Sequence, residues 1–463
     1  MQNKLLADLI SKNISWLQTM KQPGGYSGPV PHYWEDCFNY IGSGRDWRYE
    51  GIIISYLSLY EKTKDKKFLE LAKEAGDHLV DNQLKIGCFN NSGFDGNPSI
   101  IKGSMPHDTA ASIGLMKLAL KLRYIGDTDY VKYFHSAKIN LDTFHLKFLY
   151  DKSVDSFLQN TYDKKRYHVP NKLATLAELC LLFYEFTGDK KYYDIAIKNG
   201  DFILAHQEKI NEQFKGGIYQ VDKSHNKLIC LYIARCISGL VKIYEASKVE
   251  KYLNSAIAAA DFIKTLEDKS GGFYFGYQQY NNEWKLYKYP IWIAGAGDIV
   301  RAFLILKPYK KYNLNKNISW ITQQMHKSGS FPTSYGLNFK DKLIESYNGP
   351  PSCRDSVPAV GWNDKTLRLL CMLYKKGEIK VTYNTESESK ICSDGTYYED
   401  VDTIKIIGDY SYEFKKNVNF SSDNDFQTHI LDLKTIFLNS ASFIKAKLIS
   451  SLPSNFNNNN SAQ

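Results

Sequence analysis

The chain repeats itself, and the repeat restricts the folds open to it. Three stretches, KKFLELAKEAGDHLVDNQ from Lys66, KKYYDIAIKNGDFILAHQ from Lys190 and EKYLNSAIAAADFIKTLE from Glu250, carry a Lys-aromatic pair, an alanine and an Asp-x-hydrophobic group at matching offsets. Short glycine-containing segments that end in an aromatic or aliphatic residue recur with them: QPGGYSG from Gln22, QLKIGCFN from Gln83, FKGGIYQ from Phe214, KSGGFYFG from Lys269 and KSGSFPTSYG from Lys327. They return at intervals of about 60 residues, or twice that, as duplicated helical units do.

Between the charged stretches lies a second, greasier set: GIIISYLSLYEKT, TAASIGLMKLALKL, LATLAELCLLFYEFTGD, LICLYIARCISGLVKIYEAS, IAGAGDIVRAFLIL and VGWNDKTLRLLCMLYKK. A helix apolar around most of its circumference is buried in a water-soluble protein, so the charged set packs outside the apolar set. With the segment at about residues 3 to 20 counted as outer, outer and inner helices alternate, about six of each. The expected fold is all-α: an (α/α)6 toroid over residues 1–376, ending on an inner helix near Lys376.

Beyond Gly377 the pattern changes. EIKVTYNT, DTIKIIGDY and YSYEFKK are short β-branched and aromatic runs, which predicts a small β-containing extension over 377–450. THILDLKTIFLNSASFIKAKLISSL, from Thr428, reads as helical, and residues 451–463, rich in asparagine, are expected to be a disordered tail.

Composition narrows the function. The net charge of +9 comes from lysines spread along all 463 residues, without a clustered basic arm, which argues against nucleic acid as partner. None of the eight cysteines forms a CxxC pair, so buried free thiols are expected, with no metal and no cofactor implied. No apolar run reaches the roughly 18 to 20 residues that cross a bilayer. The first residues, MQNKLLADLISKNISWLQ, have helical amphipathic spacing rather than that of a signal peptide, and a cytoplasmic location is expected.

In a ring of this kind the inner helices run in one direction, so their N-terminal entrances gather at one mouth. The entrances are SGRDWRYEG from Ser43, SMPHDTA from Ser104, RYHVPNKLA from Arg166, KSHNKLI from Lys223, YKYPIWIAGAGD from Tyr287 and SCRDSVPAVGWNDK from Ser352. A cap needs one Ser, Thr, Asp or Asn per helix; these loops hold many more polar and aromatic groups. Indole faces offer sugar rings an apolar surface, and Asp, Asn, His and Arg supply directional hydrogen bonds. Carboxylates in a partly desolvated cavity serve as acids and bases in glycosidic chemistry. The catalytic candidates are Asp108, His107, Asp46 and Asp355, with Asp108 as proton carrier. The substrate-binding candidates are Arg45, Trp47, Arg48, Glu50, His168, Asn171, Lys172, Trp292, Arg354, Trp362, Asn363 and Asp364. The basic groups among them, with Lys227, favour an anionic saccharide such as a uronate.

Over about residues 1 to 376 the chain resembles the (α/α)6-toroid enzymes. Its polar, tryptophan-bearing entrances are similar to those of six-hairpin glycosidases, unsaturated glucuronyl hydrolases and sugar epimerases. That likeness implies a carbohydrate-active enzyme: a hydrolase, lyase or epimerase using carboxylate acid/base chemistry. The glutamine-glycine-aromatic repeat is similar instead to that of terpenoid cyclases and protein prenyltransferases, and HDTAASIGLMKL looks like the helix that carries the DxDD acids of class II cyclases. Aligned on Asp-Thr-Ala, however, Met105 and His107 stand where the first and central acids belong, and only Asp108 remains. Cys353 and Asp355 are all that suggests a prenyltransferase zinc set. A catalytically silent binding or scaffold toroid is a third reading.

Overall fold

A computed structural model describes residues 3–22, 25–26, 44–90, 103–160, 167–221, 227–280, 283–336 and 358–375. It also gives the backbone of strands at 28–31, 38–41, 397–399, 403–407, 411–417 and 430–436. Its helices alternate in layer. The outer helices are α1 (Asn3–Thr19), α3 (Lys66–Val80), α5 (Tyr130–Ile139), α7 (Lys190–Ala205), α9 (Glu250–Thr265) and α11 (Asn315–Gln323). The inner ones are α2 (Arg48–Thr63), α4 (Met105–Tyr124), α6 (Pro170–Thr187), α8 (Cys230–Ser247), α10 (Ile293–Leu306) and α12 (Val360–Leu373). Each inner helix packs on the next and α12 returns against α2, closing an (α/α)6 toroid.

Local chemistry sets the helix ends. Asp65 and Asp189 cap α3 and α7 by accepting the amides of Lys67 and Lys191. Pro106 and Pro170 sit in first turns, where the missing N–H is no loss. The inner helices are enclosed: α4 is buried at every residue from Asp108 to Met116. Cys88, Cys180, Cys230, Cys236 and Cys371 are buried free thiols.

The repeated residues hold one unit to the next. The Asp of each Asp-x-hydrophobic group accepts a tyrosine hydroxyl from the following unit: Tyr133 to Asp77 at 2.8 Å, Tyr252 to Asp201 at 2.8 Å and Tyr312 to Asp261 at 3.0 Å. A lysine beside each tyrosine pairs with the same carboxylate: Lys132 with Asp77, Lys251 with Asp201 and Lys310 with Asp261. The glycine segments use a second device, in which an amide side chain from the next outer element donates to a glycine carbonyl. Asn140 reaches Gly87 at 2.9 Å, Asn317 reaches Gly271 at 2.8 Å and Asn13 reaches Gly329 at 2.7 Å. That last bond spans 316 positions of sequence and ties the first outer helix to the last glycine segment.

Part of the C-terminal reading is corrected. Ile430–Ile436, expected as helix, is a strand paired antiparallel with Ser411–Asn417 in a sheet that also holds Thr403–Ile407 and Tyr397–Glu399. In LDLK, from Leu431, apolar and charged residues alternate with period two, and the strand follows that alternation rather than the longer apolar spacing downstream. EIKVTYNT and the tail from 451 lie outside the described residues. No described helix is long and apolar enough to cross a membrane.

Candidate active site at the N-terminal mouth

The inner helices run in one direction, and their two ends form different environments. At the N-terminal mouth, Trp47 lies 4.5 Å from His107 and 5.7 Å from Trp362, centroid to centroid, and Trp362 lies 5.8 Å from Trp292. These rings come from the entrances of α2, α4, α12 and α10 and form one continuous row. Ala294, Ala359 and Leu231 pack among the indoles. Trp47 is oriented by its indole N–H, which donates to the Gly361 carbonyl at 2.5 Å. A side chain at 361 would meet that nitrogen at 2.8 Å, so the approach depends on glycine. Trp292 is set by a two-residue strand, Ile291–Trp292, paired with Ser334–Tyr335.

About one helical turn beyond Gly361 is Asp364. Its carboxyl is wholly buried against α2, with its Oδ2 where a Cβ of Gly51 would stand, and neither oxygen has a hydrogen-bond partner among the described residues. The nearest cation, Lys365 Nζ, is 3.7 Å away. Burial pushes the Asp364 pKa up to about 7; Lys365 opposes the shift, while Asp298, Asp46 and Glu50 add to it. His107 is shifted the other way. Burial, then the charges of Lys172, Arg48 and Lys365, hold its pKa well below the ordinary imidazole value. At neutral pH the mouth therefore offers a carboxyl that can carry a proton and an imidazole that is free of charge. Lys365 bears on both groups and also lies 5.9 Å from the centre of the Trp47 ring.

The remaining candidates have varied employment. Asp108 is fully buried, and its oxygens accept the amides of Phe89 at 2.7 Å and Ser104 at 3.1 Å, binding the start of α4 to the preceding segment. Asp46 and Arg48 form a buried bidentate pair with both contacts at 2.9 Å, and Arg48 also donates to the Tyr26 carbonyl. Asn363 joins Asn13, Phe331 and Ala359. His168 faces Asp151 at 3.4 Å and Phe202 on the outer layer. Lys172 donates to Gln159, Asn171 receives the Thr175 hydroxyl on its carbonyl, Arg45 is buried, and Lys227 lies in a short strand before α8. Arg354 and Asp355, with Cys353, lie outside the described residues.

Glu50 belongs to a deeper layer that sequence reading missed. It receives Arg235 Nη1 at 2.9 Å and Arg368 Nη1 at 2.7 Å. Burial alone would raise its pKa, but the two guanidinium groups outweigh burial and hold it far below the usual carboxylate range. Arg235 also faces Glu178 at 3.4 Å, and Arg301 faces Asp298 at 3.1 Å. The signal was present in the sequence: an arginine inside each of three greasy stretches, LYIARCI, IVRAFL and LRLLCM, is rare without a partner. Among the described residues no group of His, Cys, Asp and Glu has the arrangement of a metal site.

No family model matches the chain, and no curated protein matches it. Solved structures do. A cellobiose 2-epimerase from Bacillus thermoamylovorans B4167 aligns with TM-score 0.58 and 14% identity over 80% of this chain and 99% of its own. An unsaturated glucuronyl hydrolase specific for heparin aligns with TM-score 0.55 and 15% identity over 81% and 97%. A D-mannose isomerase aligns with TM-score 0.54 and 14% identity over 81% and 97%. The chain shares with these proteins the fold of an (α/α)6 toroid.

Proposed function

We propose that the protein is a carbohydrate-active enzyme that holds a saccharide on the indole row of the N-terminal mouth and acts on it by proton transfer. The observation that carries this reading is the row of Trp47, Trp292 and Trp362 beside His107, with the buried Asp364 two residues past Trp362 on α12. Indole faces cover the apolar face of a sugar ring. A protonated carboxyl and a neutral imidazole are the acid and base that bond cleavage or epimerisation at a sugar carbon requires. Asp364 is the proton donor and His107 the acceptor, while Asp108 and Asp46 hold the entrances in place. Lys172 and Lys365, whose charges bear on His107, favour an anionic sugar such as a uronate. The buried free thiols support a reducing, cytoplasmic setting.

A screen of neutral and uronate-containing oligosaccharides, read for hydrolysis, elimination and epimerisation, tests the proposal. Turnover of at least one class is expected. Asp364→Asn and His107→Ala should each lower kcat by a factor of order 10² or more, whereas Trp362→Ala should act mainly on KM. Full activity in the Asp364→Asn variant would remove the acid assignment. A panel without turnover or binding would remove the carbohydrate reading.

A further inference from the structure

The C-terminal ends of the inner helices enclose a second cavity, of about 430 Å³, to which all six contribute. The ion pairs of Glu50 with Arg235 and Arg368 lie between it and the indole row. Its walls carry Lys62, Lys117, Lys121, Lys242, Arg301 and Arg368 against Glu61 and Glu178. Most of these cations are already answered. Lys121 pairs with Glu61 at 2.6 Å, Lys242 with Glu245 at 2.6 Å, Arg301 with Asp298 and Arg368 with Glu50. Lys62 donates to the carbonyls of Cys371, Met372 and Tyr374, which compensates the open end of α12.

Lys117 has no such partner. Among the described residues no carboxylate lies within ion-pair distance of it, and Glu178, the acid that acts on it most, is engaged with Arg235. It is not compensating a helix dipole either, because it stands seven positions before Tyr124 at the end of α4, outside the last turn where that effect acts. Burial lowers the pKa of both Lys117 and Lys62, as expected for amines enclosed without a counter-charge.

We propose that this cavity is a binding site for a small oxyanion of the phosphate class, held by Lys117 with Lys62 and Lys242 around it. The volume suits a phosphate group with its shell of water or a small phosphate ester, and amines are point-charge ligands for such groups. The site is separate from the indole row and does not depend on the carbohydrate reading.

The test is calorimetric titration of the full chain, in a buffer free of multivalent anions, with inorganic phosphate, sulfate and glucose 6-phosphate in turn. Saturable binding of at least one is expected, with the order of affinities separating free phosphate from its esters. Lys117→Gln should weaken it tenfold or more, while Lys251→Gln on the outer surface should leave it unchanged. A melting scan without anion establishes that the Lys117→Gln variant is folded. If that variant melts early, Lys117→Arg replaces it and should retain binding. Absence of saturable binding, or equal binding by the folded Lys117→Gln variant, overturns the proposal.

Discussion

Two aspartates at the entrances on either side of α2 illustrate how far residue type leads and where environment takes over. Asp108 and Asp364 are both wholly buried, yet Asp108 accepts two backbone amides while Asp364 has no hydrogen-bond donor among the described residues. Sequence spacing put both at the mouth, but it could not reveal which carboxyl is satisfied, because Phe89 approaches Asp108 from a different segment. Asp108→Ala should destabilise the fold by roughly 1–3 kcal/mol, the range for buried donors left without an acceptor, as read from the shift in urea midpoint. Asp364→Asn should do the reverse at high pH. An aspartate with a folded pKa of about 7 favours the folded state in its protonated form. That stability is fully present below the unfolded pKa near 4 and is lost as pH rises through 7. The asparagine variant should therefore gain on the wild type by on the order of 3–4 kcal/mol between pH 4 and pH 8. A stability difference that stays flat over that range would show that Asp364 ionises normally.

At the scale of elements, the sequence was most legible where residues recur. Matching Lys-aromatic and Asp-x-hydrophobic groups announced equivalent helices, and in the structure the repeated aspartates bind successive units together. Their recurrence reflects the need to repeat one joint around a ring. The glycine segments follow the same logic. Gly216 has φ +89°, and a Cβ there would stand 2.1 Å from the Ala258 carbonyl oxygen. Gly188 also has positive φ, +71°, but nothing lies within 4 Å of its Cβ position. Gly188→Ala should therefore cost only the backbone strain, about 1 kcal/mol. Gly216→Ala adds displacement of a neighbouring carbonyl and should cost roughly 2–4 kcal/mol. Denaturant melts of the two variants side by side measure the difference, and equal losses would mean that the Ala258 segment yields freely. The strand at Ile430–Ile436 was misread because a short period-two run stands directly before residues with helical spacing, and only pairing with Ser411–Asn417 decides between them.

For the molecule as a whole, alternation of layers was enough to give the closed ring and to bring the entrances of α2, α4, α10 and α12 together. The pairing inside the charged interior was not legible, because a lone arginine in an apolar helix calls for a partner but says nothing of which other helix supplies its carboxylate. Glu50 on α2, Glu178 on α6, Arg235 on α8 and Arg368 on α12 come together only when the ring closes, and they connect four of its six inner helices. Removing one member of such a set leaves buried charge without a partner, which costs about 3–5 kcal/mol. Glu50→Ala should show a loss of that size at pH 7, because it strands Arg368 and leaves Arg235 with Glu178 alone. The pH dependence distinguishes electrostatic loss from a simple cavity. Glu50 has a folded pKa held far below its unfolded value, so its contribution is complete above about pH 5 and declines as pH falls. Between pH 6 and pH 3 the gap between wild type and Glu50→Ala should close by about 2 kcal/mol, from an unfolded pKa near 4.3. This trend is opposite in sign to that of Asp364, one layer away. A gap that holds constant from pH 6 to pH 3 would mean that Glu50 contributes packing alone, and the ion pairs across the ring would then be incidental to its stability.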